Sequence, residues 1–157
     1  MTIEIGNGIS KDFLNTLEAS RAFLEKEHHL IRKIGLKTRR LARGEVVFEV
    51  SLSEDFADGD ALHGGIFTII LDTILAYSVY AELNAMTPMA TVNLKTDHFA
   101  KAAPGTNILC IAKCDGVKND IAFCTGRATI ATSGELVASA AGTFMINTRP
   151  MDKGSRL

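Results

Sequence analysis

His63-Gly64-Gly65 opens a long apolar run, Ile66-Phe67-Thr68-Ile69-Ile70-Leu71-Asp72-Thr73-Ile74-Leu75-Ala76-Tyr77-Ser78-Val79-Tyr80, which continues to Leu83. Greasy side chains fall on nearly every side of a helix drawn through it, and a helix that is hydrophobic all round is normally buried. From Ile66 to Leu83 the run is 18 residues, which touches the lower limit for a membrane span. Asp72 in the middle of such a span would cost about 2.5–3.5 kcal/mol. The stretch therefore reads as the core helix of a globular fold, carrying a buried acid that needs an explanation.

On the N-terminal side, Ser10 is placed to cap a helix through Phe13, Leu14, Leu17, Ala22, Phe23 and Leu24, with Lys11, Asp12, Glu18, Arg21, Glu25 and Lys26 on its other face. Residues 1–29 thus form an N-terminal helical extension. Leu30 to Arg40 alternates imperfectly and stays unassigned. Arg43-Gly44 is a turn, after which Val46, Phe48, Val50 and Leu52 alternate with Val47, Glu49 and Ser51 as the half-buried second arm of a hairpin. Glu54 to Leu62 shows no period and reads as a loop leading into the central helix.

On the C-terminal side, Pro88 ends helix, and four strands follow at Ala90–Lys101, Ile108–Asp115, Ile121–Thr132 and Leu136–Ile146. Ala103-Pro104-Gly105, Gly116–Asn119 and Ser133-Gly134 separate them. From Asn147 the chain is polar, with Pro150 and Gly154, and a mobile tail over 147–157 is expected. No repeat or linker divides residues 1–157. Strands grouped around segregated helices indicate a single α+β domain, with an antiparallel six-stranded sheet wrapped around the long helix.

Composition removes several functions. A formal net charge of -1 and the absence of Trp give neither an electrostatic footprint nor a stacking platform for nucleic acid. Met1-Thr2-Ile3-Glu4-Ile5 has no basic n-region, so a cytoplasmic protein is expected. Cys110, Cys114 and Cys124 lie in strand-like sequence, Cys114 roughly opposite Cys124. They read as buried reduced thiols rather than as a metal site.

Two features carry chemistry. Gly64 and Gly65 place backbone N–H groups at a helix N-terminus, where orphan donors and the dipole would polarise a carbonyl oxygen and stabilise an oxyanion. A tight turn packing the helix start is the plainer reading of the same glycines. Asp72 has no counter-charge nearby in sequence, so it is either paired by something remote, such as a backbone group or Arg127, or functional. Eight residues separate Gly64 from Asp72, about 12 Å of helix rise. If both act on one carbonyl, a second copy of the helix must supply one of them, which argues for a two-fold dimer with shared sites.

These residues, with Ala90-Thr91-Val92-Asn93-Leu94 and the Ala102-Ala103-Pro104-Gly105 turn, resemble the hotdog-fold acyl-CoA thioesterases, and among them the PaaI-like and acyl-CoA thioesterase 13-like group. The resemblance runs from about Arg43 to Ile146. It implies a sheet wrapping a long helix, homodimers joined edge to edge, and pairing of dimers into tetramers. It implies that Gly64 polarises the thioester carbonyl and that Asp72 of the partner protomer activates water or attacks directly. Thr91 would position the water or the acid, and His63 would shape the loop. Alternatively, His63 simply caps the helix start.

Gly65 and Asp58 would contact the substrate, with Lys101 and Lys118 near the CoA phosphates and Lys113 and Arg127 as further cations. Phe67, Ile70, Tyr77, Phe99 and Phe123 would set the pocket. No metal or cofactor is implied beyond CoA as part of the substrate. One departure stands out: where some members carry Asn or Gln ahead of the glycines, Ala57 aligns here, so either Asp58 takes over or the role is absent. The alternatives on the same fold are a hydroxyacyl thioester dehydratase and a non-catalytic acyl-CoA-binding module.

Overall fold

In a computed structural model that describes residues 3–148, the apolar run lies in the hollow of a curved sheet. In chain order the elements are β1 (Glu4–Ile5), α1 (Lys11–Glu27), α2 (His29–Ile34), β2 (Lys37–Ala42), β3 (Glu45–Ser51), a 3-10 turn (Glu54–Phe56), β4 (Ala57–Asp58), β5 (Ala61–Leu62), α3 (Gly65–Leu83), β6 (Met89–His98), β7 (Asn107–Lys118), β8 (Ile121–Ile130) and β9 (Leu136–Ile146). The sheet order is β1-β2-β3-β7-β8-β9-β6, with β4 and β5 paired separately.

Alternation decides which face is concave. Val46, Phe48 and Val50 on β3, Ile108, Cys110 and Ala112 on β7, and Ala122, Cys124 and Ala128 on β8 are all buried against α3. From the helix side Ile70, Leu71, Ile74, Leu75 and Val79 are completely buried, each contributing about 1.5–3 kcal/mol of apolar transfer. Leu75 nests where the sheet has no side chains. A Cβ on Gly126 would stand 3.1 Å from its Cδ2 and one on Gly142 3.3 Å from its Cδ1, so glycine at both sites lets helix and sheet approach closely.

The extension is tied to the core through the first half of its helix. Ser10 Oγ accepts the Phe13 N–H at 3.1 Å as an N-cap, while the Ser10 N–H donates to Asn84 Oδ1 at 3.0 Å. Asn84, at φ 53°, is the left-handed residue that ends α3. Phe13 and Leu17 are buried.

Three expectations need correction. The main sheet has seven strands rather than six, because Glu4–Ile5 pairs in parallel with Arg40–Leu41. Backbone bonding holds so short a strand, and it leaves no sequence period. Leu30 to Arg40 contains α2, capped by His28 and stopped by Gly35 at φ 63°, and then β2. The central helix is not enclosed on every side: Ile69 is exposed, and Thr68, Asp72, Thr73, Ala76 and Tyr80 are only half-buried. The sheet curls around part of the helix and leaves this stripe uncovered. The tail beyond residue 148 lies outside the described residues.

Among the described residues β6 forms one margin of the sheet and pairs only with β9. Its register breaks once: Thr91 pairs with Phe144 and Asn93 with Thr143, leaving Val92 as the extra residue of a bulge. Bulges bend a strand and re-aim its side chains.

Candidate active site

The helix start is held by His63. Its Nδ1 accepts the Gly65 N–H at 3.0 Å, which places the ring proton on Nε2 in the neutral tautomer. The expectation that both glycine amides stand free is therefore corrected, since Gly65 is engaged by the preceding side chain. Gly64 is in a helical conformation at φ -55°, ψ -35°, and its N–H meets no acceptor among the described residues. Neither glycine is needed for a left-handed turn. A Cβ on Gly65 would sit 3.0 Å from His63 Nδ1, so this residue must stay small for the capping ring to fit.

Asp72 differs from its sequence reading too. It is half-buried rather than enclosed, and its Oδ1 accepts a 2.9 Å hydrogen bond from Thr91 Oγ1. The remote partner is thus a hydroxyl on the β6 margin, and Oδ2 has no hydrogen-bond partner among the described residues. Arg127 is not that partner. It neighbours the buried Ala128 and pairs with Ser139, so strand alternation sends it to the convex face.

The other predicted residues separate by location. Asp58, Ala57, Phe56, His63, Gly65 and Ile69 line one open cleft of about 720 Å³ beside the glycine loop. Lys101 is exposed next to Ala102, whose carbonyl accepts the Leu62 N–H at 2.8 Å and so anchors that segment to the loop. Lys118 ends β7 on the sheet row of Ile121, Met145 and Ala90, whereas His98 pairs with Ala138 toward the other end of β6. The fold therefore separates Lys118 from the glycine loop. Lys113 lies between the inward Ala112 and Cys114 and faces the convex side with Asp115. Phe67 and Ile70 are core residues, Phe99 and Phe123 are exposed, and Tyr77 is half-buried against Phe48.

Sequence reasoning missed His98. Its ring lies against Gly64: Cε1 and Nδ1 are each 3.5 Å from the point a Cβ there would occupy. A second cavity, about 660 Å³ and mostly apolar, lies between the N-terminal helices and the sheet, with Leu14, Leu17, Leu36, Phe48 and Tyr77 in its wall. Of the residues expected to set the pocket it contains Tyr77, and it contains none of those expected to act on or bind the thioester.

Cys114 and Cys124 face each other across β7 and β8. A hydrogen bond from Cys124 holds the Cys114 thiol below its ordinary range, and the same bond with burial pushes Cys124 upward. Burial alone raises Cys110 to about 12. Among the described residues no three His, Cys, Asp or Glu side chains gather as a metal site would require.

A glycine-opened helix in the hollow of a curled antiparallel sheet defines the hotdog fold, and comparison with known proteins agrees. The chain belongs to the thioesterase superfamily, whose family profile matches residues 59–137. Zebra fish thioesterase superfamily member 2 superposes with a TM-score of 0.75 and 23% identity, over 86% of this chain and 98% of that one. The PaaI protein from the phenylacetic acid degradation operon of E. coli gives 0.76 and 14%, over 88% and 96%. Thioesterase superfamily member 2 from Mus musculus gives 0.71 and 19%, over 89% and 100%. At these identities the likeness is one of fold. Curated proteins return no match.

Proposed function

We propose that this chain hydrolyses acyl-CoA thioesters to a carboxylic acid and free CoA, as a homodimer that pairs further into a dimer of dimers. One observation carries the reading: an oriented carboxylate, Asp72 with Thr91, and an unengaged amide, Gly64 N–H, lie on one helix, about 12 Å apart. Neither can serve the other's carbonyl within one chain. Two antiparallel copies of α3, laid along their uncovered stripes, bring each Gly64 to the partner's Asp72.

In this arrangement the Gly64 N–H holds the thioester oxygen and stabilises the negative charge that develops on it. Oδ2 of the partner's Asp72 takes a proton from water as the water attacks the carbonyl carbon, while Thr91 fixes the other carboxylate oxygen. CoA leaves as the thiol. Direct attack by Asp72 would instead pass through a mixed anhydride; label in the Asp72 carboxyl after a single turnover in ¹⁸O-water, from water opening the anhydride at the aspartyl carbon, identifies that route. The reaction so drawn needs no metal or cofactor.

The test is thiol release from a panel of aromatic, short and long acyl-CoAs. Asp72→Ala should lower kcat by roughly 10²–10⁴-fold with an unchanged circular dichroism spectrum. Full activity in that variant overturns the role of Asp72. Conversion of a 3-hydroxyacyl-CoA to enoyl-CoA without thiol would identify a dehydratase, and tight binding without turnover a binding module.

A further inference from the structure

We infer that His98 donates a second hydrogen bond to the thioester carbonyl beside the Gly64 N–H, filling the role for which Ala57 has no polar group. The inference rests on the acyl-CoA reading above and adds to it the residue that completes the carbonyl site.

Placement comes first. The His98 ring packs on Gly64 at the distances given above, and it belongs to the same chain as that amide. The two donors therefore arrive together, whatever the partner contributes. Neither ring nitrogen of His98 has a partner among the described residues, and the residue is exposed, so the ring is open to an incoming carbonyl. His63 has Nδ1 committed to the Gly65 N–H. Ala57 lines the cleft with a methyl group alone, which can donate nothing.

Strand geometry supplies an independent argument. Thr91 and His98 are seven positions apart, and in an unbroken strand residues at odd separation point to opposite faces. The bulge at Val92 reverses that parity. After it, Leu94 pairs with Gly142, Thr96 with Ala140 and His98 with Ala138, opposite residues that are all buried on the helix side. One inserted residue thus lets β6 serve Asp72 through Thr91 and Gly64 through His98. An imidazole N–H aimed at the oxygen that gains charge is worth most in the transition state.

The test compares two non-hydrolysable CoA ligands by calorimetry. One is a ketone with CH₂ in place of sulfur, which keeps the carbonyl, and the other is an S-alkyl thioether, which lacks it. His98→Ala should weaken the ketone about 10-fold and leave the thioether unchanged, while kcat on the matching thioester falls roughly 10²-fold with KM moving far less. His98→Gln, or Ala57→Asn added to His98→Ala, should recover part of both effects by restoring a side-chain N–H. Equal loss for ketone and thioether, or full kcat in His98→Ala with an active wild type, overturns the assignment and leaves the thioesterase reading standing. Ketone-selective binding that depends on His98, in a protein that hydrolyses nothing, upholds the assignment and overturns the hydrolytic reading. A wild type that binds neither ligand overturns both.

Discussion

At one margin of the sheet β1 is 2 residues long, and Arg40 forms ion pairs with Glu4 and Glu45 beside it. At the other, β6 runs for 10 residues with its outer backbone unpaired among the described residues, and Val92 on it is 58% exposed. Natural sheets blunt their edges with short strands and charge because a long bare edge is a template for another chain. The β1 margin follows that practice. The β6 margin has charge at Lys95 and Asp97 and a bulge at Val92 but stays long, and it is the one that carries Thr91 and His98. On the proposed dimer, the β6 margin is the one a second copy would complete.

The sharpest way to break that comparison is to divide the site between two chains. Gly64→Pro removes the amide donor at a φ that proline accepts, and should lower kcat by about 10²–10³-fold. A co-refolded equal mixture of Gly64→Pro and Asp72→Ala should recover about a quarter of wild-type activity, because half the dimers then hold one intact site of two. A site built within one chain would recover nothing. Thr91→Ala should cost about 10-fold in kcat by freeing the carboxylate, read from steady-state kinetics at unchanged melting temperature. Hydrogen exchange followed on dilution should show the outward amides of β6 losing protection as dimers dissociate, with β1 unaffected. At the bottom of the scale, Glu4→Ala should shift unfolding by no more than about 1 kcal/mol, since its carboxylate is exposed.

How much of this was legible in the sequence follows from which forces shape each part. α3 announces itself by a long run that is apolar on nearly every side, and β3 by strict alternation, both imposed by burial. β1 and α2 do not, since a strand of 2 residues and a helix of 6 are set by backbone pairing and by the caps at His28 and Gly35. Asp72 was identifiable by its chemistry, but its surroundings were not: the neighbours along a helix say nothing of how far a sheet curls. The register, once known, removes Lys113 and Arg127 from the site, and strand alternation next to Ala112 and Ala128 already hinted at it. His98 was hidden for the opposite reason. Counting from Thr91 places it on the wrong face unless the bulge is known.

That extra residue has an evolutionary reading. Val92 is counted rather than touched: the position would tolerate many side chains, yet losing or gaining a residue there would act on β6 as a frameshift acts on a coding sequence. Deleting Val92 would restore regular pairing and turn either Thr91 or His98 away from α3, silencing one end of the site without altering any residue in it. Among related chains, length between these two positions should therefore vary less than composition.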